Sequence, residues 1–219
     1  MDTRKTHNKK NKKILITAGP TWVAIDSVRV ISNISSGQTG FLLTKEAVKR
    51  GYKTTLILGP TEKKGHLKNV LVKQYKYFDE LSVLLKTELT ARKYNVVLHA
   101  AAVSDYRPDK PNKAKIKSGI KNLTIRLKPA IKIVSLIKKF APKTFLVMFK
   151  LEQRVSDSIL ISRARKALID ANADLAVANT ITPRYKAFII DGNKIYGQAN
   201  SKEILTKKLF NVINQKLDK

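Results

Sequence analysis

The sequence predicts an α/β protein with a doubly wound, mostly parallel sheet, in a Rossmann-like three-layer arrangement. Short, continuous apolar runs alternate along the chain with longer segments of helical periodicity. Continuous runs are typical of strands buried on both faces, whereas a sheet with one wet face shows alternation. Alternating strands and helices are the pattern of doubly wound folds. A length of 219 residues is enough for one such domain with a sizeable core.

Six strands are predicted, and each ends at a turn or a polar segment. They cover residues 14–17, 54–58, 70–72, 96–102, 145–149 and 175–178. Four helices with apolar stripes are expected over residues 40–50, 79–89, 160–171 and 200–217. Asp79 and Asn200 are the predicted N-caps of the second and fourth helices.

Residues 103–130 break the alternation and predict a protruding two-stranded arm at about 106–130. The segments 113–117 and 123–128 alternate in polarity and are expected to pair around a turn near Gly119. Such a lysine-rich arm is either a solvated edge protected from aggregation or a lid over an anionic substrate, and composition alone slightly favours the edge. Residues 1–12 form a basic tail expected to be disordered, which leaves residues 13–219 as one domain.

The composition excludes several classes of protein. Cysteine is absent, which excludes a disulfide framework, thiolate zinc sites and thiol catalysis. No apolar run approaches the roughly 18 residues that span a bilayer, and no signal-peptide core follows Met1. A cytoplasmic protein without membrane contact is therefore expected. His7, His66 and His99 form no metal or triad pattern, so no metal ligand is predicted, and His99 is expected to be a buried structural residue.

The formal net charge of +28 results from 44 Lys and Arg against 16 Asp and Glu. Such an excess suits a polyanionic partner, such as nucleic acid, an acidic membrane surface or phosphorylated small molecules. A general lysine bias is the favoured explanation, because lysines recur in nearly every segment and few aromatic side chains are interleaved to stack bases. A basic module that binds nucleic acid without catalysis is kept as the alternative.

Candidate binding residues follow the predicted strands, because ligands of open α/β sheets bind at the carboxyl ends of strands. Gly19 follows the first strand. Ser35, Gly37 and Gly40 lie at the start of the first helix, where a pliable backbone and the positive end of the helix dipole suit a phosphate. A helix-entry turn without a ligand is about equally compatible. The GxGxxG pattern is missing after the first strand, which speaks against a dinucleotide-dependent oxidoreductase.

Two further groups lie at later strand ends. Ala101 and Ala102 leave room for a ligand beside Asp105, which suits a hydroxyl or a metal, although a loop cap is the commoner role of a single Asp. Phe149 and Asn179 suit a base and a phosphate or sugar, and equally a core and a turn position. Because lysine dominates and no nucleophile constellation is evident, phosphoryl or nucleotidyl transfer is the natural enzyme class.

Four segments together resemble phosphopantothenate–cysteine ligase, the enzyme of coenzyme A biosynthesis that joins 4′-phosphopantothenate to cysteine. They are ITAGPT at 16–21, IDSVR at 25–29, ISNISSG at 31–37 and AAVSDY at 101–106. The resemblance implies that a nucleoside triphosphate, CTP or ATP, accompanied by Mg²⁺, activates the substrate carboxylate as an acyl-nucleotidylate. The amine of cysteine then displaces the nucleotide and forms the amide.

The resemblance also implies roles for individual residues. Asn33 matches the asparagine that holds the acyl-nucleotidylate. Lys115, in KAKIK at 113–117, matches the lysine of a mobile flap, which neutralises charge at the reacting phosphorus. The nucleotide-site positions of the family are matched by Gly19, Ser35, Gly37, Gly40, Phe149 and Asn179. Positions that contact substrate or nucleotide are matched by Ala101, Ala102 and Asp105.

With the family in view, the arm is interpreted as a lid that excludes water from a hydrolysable intermediate, rather than as a solvated edge. Members of the family are dimers in which an equivalent arm contributes to the partner's site, so a homodimer is expected. Only the basic tail precedes Lys13, so a stand-alone ligase is expected. The chain departs from the family at Gln38, Ser118 and Met148. These departures leave the choice between CTP and ATP open, and Met148 is a candidate for crowding the nucleotide pocket.

Overall fold

A computed structural model of the chain describes residues 12–61 and 67–218. Apart from Lys12, the predicted basic tail lies outside these ranges, and so do His7 and His66. The strands are β1 Lys13–Ala18, β2 Trp22–Ala24, β3 Val30–Ser32, β4 Lys53–Leu58, β5 Val70–Gln74, β6 Val96–His99, β7 Tyr106–Pro108, β8 Leu127–Pro129, β9 Phe145–Leu151, β10 Leu175–Thr180, β11 Lys186–Ile190 and β12 Ile195–Ala199. The helices are α1 Gln38–Lys49, α2 Phe78–Ala91, α3 Ile133–Phe140, α4 Asp157–Asp170 and α5 Lys202–Leu217.

The main sheet has eight strands in the order β12-β11-β10-β9-β6-β1-β4-β5. The six strands from β10 to β5 are parallel, and β11 and β12 add an antiparallel edge. Counted along the chain, the parallel strands follow the order 3-2-1-4-5-6 of the dinucleotide-binding folds. The order reverses between β1 and β6, and the crevice at such a reversal is where ligands of these sheets bind. The predicted doubly wound, mostly parallel fold is confirmed.

Helices cover both faces of the sheet, which confirms the three-layer arrangement. Successive residues of β1 point to opposite faces, so Ile14 and Ile16 join the core beneath α1 and α5, whereas Leu15 joins the core beneath α2 and α3. A third cluster lies between α4 and the strands β9 to β11, and it contains Met148. Burial on both faces explains why these strands are continuous apolar runs in the sequence.

The carboxyl end of β1 is crowded by backbone from both sides. A Cβ added to Gly40, in the first turn of α1, would lie 2.2 Å from the Cβ of Ala18. A Cβ on Gly59, just after β4, would lie 2.3 Å from the carbonyl oxygen of Pro20 and 2.7 Å from the ring of Tyr75. Because only glycine fits at either position, α1 and the end of β4 approach β1 closely.

The structure corrects several details of the predicted elements. Helix α3, strands β11 and β12 and the β2–β3 hairpin were not predicted from the sequence. The predicted N-caps are wrong: Tyr77 precedes α2, so Asp79 lies inside the helix, and Ser201 rather than Asn200 caps α5 by accepting the N–H of Ile204. The predicted strand over 96–102 ends at His99.

The arm also differs from its prediction. Its paired strands are β7 and β8, which lie at its base, whereas residues 109–126 form a loop. The turn near Gly119 exists, with a φ of 86°. The alternation over 113–117 and 123–128 does not produce strands, because nearly all of these side chains are exposed. With no second layer to cover one face, an isolated ribbon gains little from pairing.

The substitution Gly40→Ala is expected to lower the free energy of unfolding by about 1–3 kcal/mol, because overlap with Ala18 outweighs the gain in helix propensity. Urea titration measures this change. Gly192→Ala is a matched control, since a Cβ there meets nothing within 4 Å. Adding Ala18→Gly to Gly40→Ala should restore part of the loss. Wild-type stability of the Gly40→Ala protein would contradict the close approach of α1 to β1.

Candidate active site

The loops that follow β1 and β6 are joined at the reversal point of the sheet. The N–H of Ala102 donates to the carbonyl oxygen of Gly19 at 2.9 Å, and the N–H of Thr21 donates to the carbonyl oxygen of Ala102 at 3.3 Å. Two of the predicted ligand-binding groups, Gly19 and Ala101–Ala102, are therefore neighbours. The sheet order explains their proximity, since carboxyl ends of adjacent parallel strands open at the same edge.

Asn33 joins the same junction from the β2–β3 hairpin. Its side-chain Nδ2 donates to the carbonyl oxygen of Val103 at 2.9 Å and of Ala102 at 3.4 Å. The hydroxyl of Ser32 donates to the carbonyl oxygen of Thr21 at 3.2 Å. The side chain of Asn33 is exposed, so its amide oxygen is accessible to a ligand.

The start of α1 has the features of an anion site. Gly37 adopts a left-handed conformation at the N-cap with a φ of 69°, and the first turn contains no acidic residue. Gly37 has no side chain to cap the helix, but the hydroxyl of Ser36 accepts the N–H of Gln38 at 3.4 Å. The hydroxyl of Ser35 accepts the N–H of Gly37 at 3.4 Å. The ammonium of Lys202 donates to Oε1 of Gln38 at 2.9 Å, which adds a positive charge beside the helix dipole. Gly40 supports this site through its packing on β1.

Phe149 and Asn179 lie on neighbouring strands and share a face of the sheet. Phe149 is opposite Val177 in the β9–β10 register, and Asn179 lies two residues beyond Val177. Because side chains two residues apart on a strand share a face, both belong to the α1 and α5 side. Met148 points to the opposite face, is 6% exposed and packs beneath α4. Its side chain is thus part of the core on the far side of the sheet from Phe149.

Two predicted site residues, Asp105 and Lys115, make no described contact with this junction. The carboxylate of Asp105 is exposed and pairs with the ammonium of Lys132. Lys115 is exposed on the loop of the arm, and among the residues that the structure describes its ammonium has no hydrogen-bond or ion-pair partner. The structure brings Asn33, Gly19 and Ala102 together, and it shows no contact between Lys115 and these three among the described residues.

Buried hydroxyl groups that the sequence analysis did not single out hold the junction. The hydroxyl of Thr21 accepts the N–H of Ser104 at 2.9 Å and lies 3.1 Å from the hydroxyl of Ser104. Thr17 Oγ1 accepts the N–H of Ala101 at 3.2 Å and lies 2.9 Å from Nδ1 of His99. Small hydroxyl residues after a strand give only a weak signal in a sequence, since the same residues are common in any turn.

His99 is buried, as the sequence predicts, with 8% of its surface exposed. Burial lowers the pKa of its imidazole to about 4, because the charged form is poorly solvated there. The ring is therefore neutral at pH 7 and serves as a structural partner of Thr17.

In the two described ranges, no group of three or more His, Asp or Glu side chains is arranged to hold a metal ion. Within the same ranges, no helix combines the length and apolar character needed to cross a membrane.

Comparisons with known proteins show what the sequence and the fold are similar to. Residues 9–213 match the family model described as the DNA/pantothenate metabolism flavoprotein C-terminal domain. The coenzyme A biosynthesis bifunctional protein CoaBC of Thermococcus kodakarensis is 40% identical over 194 residues, which are 88% of this chain and 46% of that protein. The chain spans about half the length of the curated relatives it matches.

Two solved structures share the fold. The DNA/pantothenate metabolism flavoprotein from Streptococcus pneumoniae is 30% identical with a TM-score of 0.84, and the match covers 93% of this chain and 99% of that one. The C-terminal domain of a CoaBC protein is 26% identical with a TM-score of 0.78, and the match covers 94% and 96%. The CoaBC relatives are named for coenzyme A biosynthesis, and the alternative of a non-catalytic module that binds nucleic acid is not supported.

The buried imidazole of His99 predicts a specific dependence of stability on pH. In the unfolded chain a histidine binds a proton near pH 6.5, whereas His99 in the folded protein does so only near pH 4. Between these values the unfolded state binds more protons, so the free energy of unfolding should fall by up to about 1.4 kcal/mol per pH unit as pH decreases. Urea titrations at pH 7.5, 6.0 and 5.0 measure this slope. His99→Gln should flatten it, and parallel curves for the two proteins would contradict a buried, neutral His99.

Proposed function

Because the chain belongs to the family of the DNA/pantothenate metabolism flavoprotein C-terminal domain, we propose that it joins 4′-phosphopantothenate to cysteine in coenzyme A biosynthesis, with residues 13–219 as the ligase domain. The observation that carries this proposal is the junction of Asn33, Gly19 and Ala102 at the reversal point of the sheet. Relatives named for coenzyme A biosynthesis support it.

The proposed reaction has two steps. A carboxylate oxygen of phosphopantothenate attacks the α-phosphorus of the nucleoside triphosphate, so an acyl–oxygen–phosphorus bond forms as the bond to pyrophosphate breaks. The amine of cysteine then attacks the acyl carbon. The carbon–nitrogen bond forms, the nucleoside monophosphate leaves, and the amine loses a proton. Both steps develop negative charge on phosphate oxygens, which preorganised donors and cations stabilise.

The residues of the site suit these steps. The N–H groups at the start of α1, with Ser35 and Gly37, would bind phosphate oxygens. Phe149 and Asn179, which share one face at neighbouring strand ends, would contact the base and the sugar or a phosphate. Asn33 would hold the acyl-nucleotidylate through its exposed amide.

The loop after β6, the arm and the nucleotide with its metal ion complete the proposed site. Ala101 and Ala102, at the end of β6, leave space for the substrate, and Asp105 would contact substrate or nucleotide from the same loop. Lys115 would neutralise the charge at the reacting phosphorus when the arm covers the site. The nucleotide is CTP or ATP, and Mg²⁺ would arrive bound to its triphosphate oxygens, since oxygen ligands are the ones it prefers.

The proposed function is tested by pyrophosphate release from the purified protein with phosphopantothenate, cysteine and Mg²⁺, with CTP and ATP in separate reactions. Release that requires phosphopantothenate supports the acyl-nucleotidylate and identifies the nucleotide. A folded protein that releases no pyrophosphate with either nucleotide would overturn the proposal.

The proposed roles of Lys115 and Asn33 predict the behaviour of two variants. Lys115→Ala should slow pyrophosphate release at least about 100-fold, the effect typical of losing one donor to a developing negative charge. Asn33→Ala should abolish the amide product while the protein stays folded by circular dichroism. Lys121→Ala is a matched control, because it removes another exposed lysine of the same arm. Normal turnover of the first two variants would refute their roles.

A homodimer is part of this proposal, and exposed apolar side chains support it. Val28 and Ile34 on the hairpin segment are 62% and 106% exposed, and Leu127 and Ile131 at the base of the arm are 43% and 60% exposed. Exposed apolar side chains of this size are typical of an association surface. Sedimentation equilibrium should give the mass of two chains, and Val28→Glu should shift the population toward monomer. A monomer at all concentrations of the wild-type protein would contradict the expectation.

A further inference from the structure

Asp26 lies in the turn between β2 and β3, and its side chain is 0% exposed. One carboxylate oxygen, Oδ1, accepts the N–H of Val28 at 2.9 Å and the N–H of Arg29 at 2.7 Å. These bonds are local, and they are the kind by which an aspartate fixes the turn that it begins. Oδ1 is thus sufficient to explain the shape of the hairpin.

The other oxygen, Oδ2, has partners of a different kind. It pairs with Nη1 of Arg29 and accepts the N–H of Ile116 at 3.0 Å, across 90 positions of sequence. Nη1 of Arg29 also donates to the carbonyl oxygen of Ile116 at 3.2 Å. One ion pair therefore holds both backbone groups of a single residue of the arm. That residue follows Lys115 directly.

Apolar packing contributes little to the position of the arm. Residues 110–115 and 117–124 are exposed, and a cleft of about 310 Å³ separates the two limbs of the arm near Ile25, Pro108 and Ile116. The N–H of Asn112 donates to the carbonyl oxygen of Ile25 at 2.9 Å and adds a second polar tether. Among the described residues, none from 109 to 126 belongs to a buried apolar cluster or packs against one, so the position of this loop depends on these hydrogen bonds.

The charge state of Asp26 supports a strong tether at neutral pH. Burial opposes ionisation of the carboxyl, but the N–H groups of Val28, Ile116 and Arg29 and the guanidinium of Arg29 outweigh it and hold the pKa well below its usual range. An ionised carboxylate accepts hydrogen bonds with both oxygens, and bonds to a charged group are the stronger ones.

We propose that Asp26 is a positioning residue that, together with Arg29, latches the backbone of Ile116 to the β2–β3 hairpin and so sets the location of the Lys115 ammonium. This inference rests on the proposed function, in which Lys115 acts on the reacting phosphorus. The same hairpin leads directly into Asn33. The latch thus ties both the lysine of the arm and the asparagine of the junction to the β2–β3 hairpin. This holds whether the arm covers the site of its own protomer or that of the partner.

The separate roles of the two oxygens allow a selective variant. Asp26→Asn retains Oδ1 for the turn but replaces Oδ2 with an NH₂ group, which cannot accept from Ile116 or from Arg29. Hydrogen–deuterium exchange of the full chain should then be at least tenfold faster over residues 112–118, with the strands of the main sheet unchanged. Asp109→Asn is the matched control, because Asp109 is another carboxylate of the arm and pairs with Lys128 at 2.9 Å. It should leave exchange over 112–118 unaltered.

The kinetic readout separates positioning from general stability. Asp26→Asn should lower kcat for pyrophosphate release at least tenfold with a smaller change in KM for phosphopantothenate, because the chemical step depends on Lys115. In a Lys115→Ala background, Asp26→Asn should cause no further loss, since the residue it positions is already gone. Additive losses would overturn the proposal.

Other outcomes also decide the question. Unchanged exchange over residues 112–118 in folded Asp26→Asn would refute the latch. If Asp26→Asn does not fold, Arg29→Gln frees the carbonyl of Ile116 while the backbone donors to Asp26 remain, and it should also speed exchange over 112–118. If the wild-type protein releases no pyrophosphate, the proposed function fails, and exchange still decides whether the latch exists.

Discussion

Backbone contact at the carboxyl end of β1 is the constraint on which the rest of the site depends. The N–H of Gly59 donates to the carbonyl oxygen of Ala18 at 2.8 Å, and the hydroxyl of Tyr75 donates to the carbonyl oxygens of Ala18 and Gly19, at 3.1 Å in each case. Burial raises the pKa of the Tyr75 phenol above its usual value, so the hydroxyl keeps its proton and remains a donor. On the other side of β1, the N–H of Ala102 donates to the carbonyl oxygen of Gly19 at 2.9 Å. Because β1 is the strand beside the reversal point, these contacts fix the loops after β4 and β6 relative to one another.

The β2–β3 hairpin connects the end of β1 to two exposed parts of the proposed site. It is inserted between β1 and α1, and the N–H of Trp22 donates to the carbonyl oxygen of Lys76 at 2.8 Å, which docks the hairpin on the segment between β5 and α2. One end of the hairpin carries Asn33 against the β6 loop, and the other end carries Asp26 against the arm. A short hairpin without a core of its own can position two parts of a site because both of its ends are tied by polar contacts to other elements.

The parts of the fold that the sequence predicts are those with a two-sided core. The parallel strands follow from continuous apolar runs, although the edge strand β5 is largely exposed. The reversal point comes from the sheet order, which the structure shows and the sequence did not predict. Helix α3 could have been predicted, because Ile133 and Ile137 are four residues apart and both are buried. The segment before it is rich in proline and lysine, which made this helical spacing hard to recognise. The apolar run in β11, which contains Phe188 and Ile190, was also recoverable.

Other features had no adequate signal. Strands β2, β3, β7 and β8 have three residues each, too few for a period to be recognised. The alternation within the arm was misleading, because alternation predicts a strand only where one face is covered. Asp26 lay inside a recognised motif, but its contact with Ile116 joins positions 90 residues apart, and no local pattern encodes such a pair.

Acidic residues are scarce in this chain, which makes the use of the buried Asp26 carboxylate to hold the arm significant. In the described ranges, every Asp and Glu except Glu80 and Glu203 makes an ion pair, and Glu80 accepts the N–H groups of Lys76 and Tyr77 instead. The excess of +28 is not neutralised by carboxylates of the chain and attracts anions toward the whole surface. A field of that kind raises the local concentration of phosphorylated ligands, but it does not orient them.

Orientation requires charges at defined positions, such as the start of α1 and the Lys115 ammonium. A flexible lysine on an exposed loop acquires a defined position only if the loop is held, and among the described contacts of residues 112–118 the hold on Ile116 is the one that uses a buried carboxylate. Abundant lysines therefore supply the charge, and one buried aspartate supplies the geometry.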